Sequence, residues 1–220
     1  MNHPQVVSAQ EWQKARDALL VEEKEHTRAL DALAARRRRL PMVALLDDYR
    51  FTAPDGAEVG MAELFDGLHQ LVVYHFMLAP GQDSVCGGCA SFTDNLADQS
   101  HLNARDTRLI LMARASQEEI EPLRRRFGWT VPWYSCSASF HADLGLGGGF
   151  GLSVLLRDDS AGTDEFFRSY YTTGRGVDRL RLDFNLLDLT PYGRQEAWED
   201  SPEGWPQDPT MQWMRPRDEY

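Results

Sequence analysis

Cysteine is scarce in this chain, with three among 220 residues. An odd and small count excludes the disulfide framework of a small secreted domain. Long apolar runs are missing too: no stretch approaches the ~18 residues needed to span a bilayer. Met1 to Gln10 also lacks the charged-then-apolar pattern of a secretory signal. The expectation is a cytoplasmic chain without a membrane partner. An excess of positive charge is absent, since 23 Lys and Arg stand against 34 Asp and Glu for a formal net charge of -11. That balance repels nucleic acid and anionic lipid. There is no internal repeat. What remains is 42% hydrophobic and 26% charged residues with dispersed aromatics, enough for one sizeable core with appendages.

Three regions follow from the texture. Residues 1–40 form a helical extension: Ser8 offers a cap, Glu11 completes a capping box, and no Gly or Pro interrupts the run before Pro41. Trp12, Ala15, Leu19, Leu30 and Leu33 make an apolar stripe on a helix otherwise crowded with charge. Such a stripe must dock on its own domain or on a second subunit, which makes a homodimer through this helix one expectation. The run Arg36 to Arg39 complements the helix dipole at its carboxyl end.

Residues 41–190 read as one α/β domain. A Pro-Asp-Gly turn at 54–56 predicts a short hairpin, followed by a helical turn at Met61 to Phe65. Leu71 to Met77 and Arg108 to Ala113 are nearly continuous apolar strands, as in a sheet covered on both faces. Ala90 to Gln99 reads as a helix. Ser116 with Glu119 opens another, which Gly128 ends. Strand and helix alternate, so the two strands pair in parallel through a right-handed crossover. Trp129 to Gly151 shows little periodicity. Two strands around a polar turn follow from Leu152, and Gly176 to Leu187 has helical spacing. Residues 191–220, with Pro and with Trp198, Trp205 and Trp213, are expected as irregular backbone pinned to the domain by aromatics.

The stretch "LVVYHFMLAPGQDSVCGGCASFTDNL" places Cys86 and Cys89 just past the strongest strand, where sites gather in such sheets. A helix opening near Cys86 would favour its thiolate through unpaired N–H groups and the dipole. The two-residue spacer then lets Cys89 attack a mixed disulfide formed at Cys86. Cys86 is the candidate nucleophile and Cys89 the resolving thiol. Asp83 lies in the approach loop as a group to restrain or tune the thiolate. Tyr74, Trp129 and Trp133 are candidates for a substrate-docking surface, and core packing is the competing role for each.

Two other readings of the pair stay open. One is a metal site, for which Zn needs two more ligands; no second CxxC or HxxxH is present, leaving His75, His101, Cys136 and His141 to converge in space. The other is a binding module that uses the charged helix and the Trp-rich tail and needs neither sulfur. Cys136 has no partner nearby in sequence and reads as a small buried apolar residue.

The order of elements and the CxxC placement resemble the thioredoxin superfold in its peroxiredoxin-like elaboration. More closely, "EWQKARDALLVEEKEHTRALDALAARRRRLP", "YRFTAPDG", "QLVVYHFM", "CGGCASF", "HLNARDTRLILMARA", "RRFGWTVPWYS" and "RGVDRLRLDFNLLDLTPYGRQE" resemble a bacterial family of unknown function, thioredoxin-like and often labelled dithiol-disulfide oxidoreductases. The resemblance implies a central mixed sheet flanked by helices and a redox dithiol at Cys86 and Cys89. It implies no bound cofactor or metal, a disulfide-containing protein or small thiol as substrate, and a separate reductant. Thioredoxins carry a cis-proline before the strand facing the CxxC. Here Phe150 and Gly151 precede that strand, and Pro132 is the nearest proline. A peroxiredoxin would show Pro-X-X-X-Thr-X-X-Cys, whereas "PGQDSVCGGC" has Ser84 and Val85, which favours dithiol exchange over peroxidase chemistry.

Overall fold

The structure is a computed structural model that describes residues 3–46, 48–147 and 149–220. Eight strands form one mixed sheet: β1 (Val43–Leu45), β2 (Phe51–Thr52), β3 (Glu58–Val59), β4 (Gln70–His75), β5 (Thr107–Ala113), β6 (Trp133–Cys136), β7 (Gly151–Asp158) and β8 (Glu165–Thr172). Their order across the sheet is β1-β8-β7-β4-β5-β6-β2-β3. β4 runs parallel to β5, and β5 parallel to β6; β7 lies antiparallel to β4 and forms a hairpin with β8.

The continuous apolar runs of β4 and β5 are explained by burial on both faces. Leu71, Val73, Ile110 and Met112 point to one side, packed with α2 (Met61–Phe65) and Phe140 of α6 (Ala138–Asp143). Tyr74, Leu109, Leu111 and Ala113 point to the other, under α3 (Gly87–Asp94) and α5 (Gln117–Phe127). At roughly 25 cal/mol per Å² of apolar surface removed from water, these two layers supply the main drive to fold.

The expected hairpin, the parallel β4/β5 pair and the capping box at Ser116 and Glu119 are all present. Gly128 ends α5 in the left-handed conformation, with φ 60°. Three expectations need correction. The helix placed at Ala90 to Gln99 begins earlier, at Gly87, and ends at Asp94; a separate turn, α4 (Ser100–Asn103), follows. Trp129 to Gly151 is not irregular throughout, for it contains β6 and α6, each too short to show a period. Gly176 to Leu187 is not one helix. A 3-10 helix (Gly174–Leu180) and α7 (Leu182–Leu187) are separated at Arg181, which takes extended backbone angles.

The long helix α1 (Ala9–Arg37) forms as read, with the Ser8 and Glu11 capping box in place. None of its residues is buried, and Trp12 is 58% exposed. Leu33 of its apolar stripe is half-buried, but Trp12, Leu19 and Leu30 do not dock on its own domain. The tail does: Arg194, Glu196 and Met214 are buried against the rest of the chain.

Candidate functional site

Strand β4 ends at His75, and the chain loops out before α3 begins at Gly87. Cys86 is the N-cap of that helix, with φ -63° and ψ 113°. Its Sγ replaces the usual hydroxyl or carboxylate cap and accepts the Cys89 N–H at 3.4 Å. A sulfur in this position meets the positive end of the helix dipole directly. Both cysteines are free thiols, Cys86 half-buried and Cys89 fully buried.

The two thiols divide the work electrostatically. Cys89 donates its S–H to the Cys86 sulfur, and this bond, aided by the Cys89 and Gly88 N–H groups and opposed by burial, brings the Cys86 thiol down to about 6. Cys86 is thus mostly ionised at neutral pH. Cys89 is pushed well above the ordinary thiol value, first because the proton it shares with Cys86 is held and then by burial. The Tyr74 hydroxyl reaches Cys89 from beneath and acts in the opposite sense. Tyr74 is fixed for this by its ring, which stacks on Phe92 of α3 at 3.9 Å and 7°. Burial raises the Tyr74 phenol, so it stays a donor.

A cavity of about 570 Å³ opens onto this pair. Its walls come from Tyr74 of β4, Phe92 of α3, Phe150 before β7, Val177 of the 3-10 helix, and Trp198 and Met214 of the tail. Sequence reading identified the sulfurs and Tyr74. It did not identify the tail, because residues so distant along the chain leave no shared periodicity.

The tail is held over the site by a buried polar network. The Glu196 carboxylate accepts from Trp198 Nε1 at 2.5 Å, the Met211 N–H at 2.9 Å and Trp213 Nε1 at 2.8 Å. Arg181 reaches Met214 Sδ at 2.9 Å and is itself clamped by Asp183 and Ser91. Phe184 lies between the Arg181 and Arg194 guanidinium groups, 3.6 and 4.1 Å from its ring centroid. The requirement to bury and bond Arg181 explains the break between the 3-10 helix and α7.

Other expected site residues lie elsewhere. Asp83 is exposed in the loop before Cys86 and does not line the cavity. Trp129 and Trp133 are buried in the aromatic cluster under α5 with Phe76 and Phe127, and Trp129 Nε1 donates to Asp94 at 2.7 Å. Pro132 enters β6, where its carbonyl accepts the Leu111 N–H at 2.8 Å. Phe150, not Pro132, stands at the cavity edge before β7.

The side chains expected to complete a metal site do not converge. His75, His141 and Cys136 lie on the sheet face opposite to Cys86, and His101 sits on exposed α4. Among the described residues, no group of three or more His, Cys, Asp or Glu is placed to hold a metal ion.

Across residues 1–220 the chain matches the family described as "Bacterial protein of unknown function (DUF899)", and it belongs to that family. Its fold is α/β, a central mixed sheet flanked by helices with a long N-terminal helix. Similar solved structures include peroxiredoxin Q of Xanthomonas campestris, with 18% identity, 59% of this chain and 73% of that one covered, and a TM-score of 0.35. A thioredoxin-family thiol:disulfide interchange protein of Chlorobium tepidum has 14% identity, coverage of 61% and 84%, and a TM-score of 0.34. A DsbF homologue of Corynebacterium diphtheriae has 16% identity, coverage of 64% and 83%, and a TM-score of 0.37. No curated protein matches. Among the described residues no helix is long and apolar enough to cross a membrane.

Proposed function

We propose that the chain is a thiol-disulfide oxidoreductase acting through Cys86 and Cys89. The observation that carries this reading is the Cys86 sulfur at the N-cap of α3, hydrogen-bonded by Cys89 and open to the cavity. The Cys86 thiolate attacks a substrate disulfide and releases one substrate thiolate. Cys89 then attacks the Cys86 sulfur, releases the second, and leaves a Cys86–Cys89 disulfide. The Tyr74 hydroxyl bonds Cys89 and stabilises its thiolate as the proton leaves. A thiol donor in a reducing cytoplasm returns the pair to the dithiol.

The test is the pH dependence of Cys86 alkylation by iodoacetamide. A midpoint near pH 6, as its environment dictates, supports the mechanism. A midpoint at the ordinary thiol value of about 8.5 removes it. Self-association through α1 belongs to the same reading, since a second copy would cover exposed Trp12, Leu19 and Leu30. Sedimentation equilibrium checks it, and a monomer at all concentrations rejects it.

A further inference from the structure

In a thioredoxin-like site that serves polypeptides, the sulfur at the helix N-cap must be approachable by an extended chain. Here that place is taken by the protein's own tail. A Cβ on Gly87 would lie 2.5 Å from the Met214 carbonyl oxygen and 3.1 Å from the Arg215 Cα, so the tail backbone rests on the first turn of α3. A Cβ on Gly88 would lie 3.9 Å from Cys86 Sγ and 3.9 Å from the terminal methyls of Met211 and Met214. The tail continues past the site and is tied down again, Arg217 to Asp94 at 2.7 Å and Arg126 to Asp218 at 2.7 Å.

What is left beside the sulfur is the cavity of about 570 Å³, within the range of about 300–1,000 Å³ usual for small-molecule sites. Its wall is mainly apolar: Met77, Phe92, Phe150, Val177, Met211 and Met214. The cationic side chains at its edge are already matched. Arg194 is bonded by Asp188 at 2.7 Å and Asp178 at 3.0 Å, Arg181 by Asp183 at 2.5 Å, and the exposed Arg175 by the same Asp178 at 3.4 Å. No unpaired charge among these groups selects a strongly ionic ligand.

We propose that the substrate of this dithiol is a low-molecular-weight organic disulfide with apolar substituents, taken into the cavity, and that the tail excludes polypeptide disulfides. The inference rests on the dithiol reading above and narrows its substrate. In the first step the Cys86 thiolate bonds to one sulfur of R–S–S–R, the S–S bond breaks and the other R–S group leaves as a thiolate. Cys89 gives up its proton to that thiolate or to water and bonds to Cys86, releasing the second R–S group. Two electrons pass from the cysteine pair to the substrate, which ends as two thiols.

The test compares two probes with the same leaving group. Reduced native chain is mixed with ethyl pyridyl disulfide and, separately, with a folded carrier protein whose surface cysteine bears the same pyridyl disulfide. Thiopyridone release gives both rate constants, and their ratio is divided by the ratio for free β-mercaptoethanol. A corrected preference for the small probe above about tenfold supports the proposal, and one at or below about tenfold overturns it. The Cys86→Ser chain serves as the second arm. If it releases thiopyridone from the small probe as fast as the native chain, the dithiol reading itself fails. If the Cys86→Ser chain is slow and only the preference for the small probe is absent, the small-substrate inference fails alone.

Discussion

The Met214 carbonyl oxygen lies 2.5 Å from the point where a Cβ on Gly87 would stand. Glycine is therefore required at the first position after Cys86 by a contact with the chain's own tail. Gly87→Ala forces two backbones apart and is expected to cost about 1–3 kcal/mol, the usual range for overpacking. It should also speed reaction of Cys86 with bulky maleimides relative to small ones, since the tail has to lift. Urea unfolding and paired alkylation rates check both outcomes; unchanged stability with unchanged selectivity contradicts the contact.

Tyr74→Phe removes a hydroxyl and keeps the ring that stacks on Phe92 at 3.9 Å. Because the hydroxyl supports Cys89 rather than Cys86, the first attack should be little affected and resolution should slow. One hydrogen bond of about 1–1.5 kcal/mol corresponds to roughly a tenfold longer-lived mixed disulfide. Quench-flow trapping of the Cys86 adduct measures that lifetime.

Glu196 ties three donors of the tail and is 1% exposed. Glu196→Ala leaves Trp198 Nε1, Trp213 Nε1 and the Met211 N–H without their acceptor. These donors are only partly buried, so at about 0.5–1.5 kcal/mol for each hydrogen bond lost the tail should detach before the sheet unfolds. Limited proteolysis should then cut after residue 190 while the far-ultraviolet dichroism of the sheet persists. Equal protease resistance in native and variant chains would rule out the anchor.

On the face away from Cys86 and Cys89, His75 and His141 meet edge to face at 5.1 Å between ring centroids. His75 Nε2 is bonded to Ser153 Oγ at 3.0 Å, while His75 Nδ1 and both His141 nitrogens have no partner among the described residues. Burial lowers both imidazoles, His75 to about 3 and His141 to about 4. The unfolded chain takes up these protons near pH 6.5 and the folded chain does not, so the unfolded state binds more protons below that pH. Stability is complete above pH 6.5 and falls as the pH drops towards 4 and then 3, by at most about 1.4 kcal/mol per pH unit for each ring. His141→Phe, which breaks no hydrogen bond, should flatten this dependence and leave stability at pH 7 equal or higher. Urea midpoints at a series of pH values decide it.

Much of this arrangement was legible in the sequence because it is local. Ser8 with Glu11 and Ser116 with Glu119 mark helix starts at fixed spacing, and the apolar runs at β4 and β5 mark strands buried on both faces. Trp129 and Trp133 were ambiguous, since an aromatic beside a CxxC pattern has the same local appearance in a core as at a docking surface. The choice falls to packing under α5. Short β6 and α6 carried too few residues for a period to emerge.

The amino-acid order alone determined the α/β alternation and the pair of sulfurs at a strand-to-helix junction. Each depends on neighbours within a turn or a strand. The tertiary structure alone decided that the tail returns over Gly87, that Glu196 secures it, and that a mainly apolar cavity remains beside the thiolate. Those contacts join residues far apart along the chain, and their register is set by burial and hydrogen bonding in three dimensions.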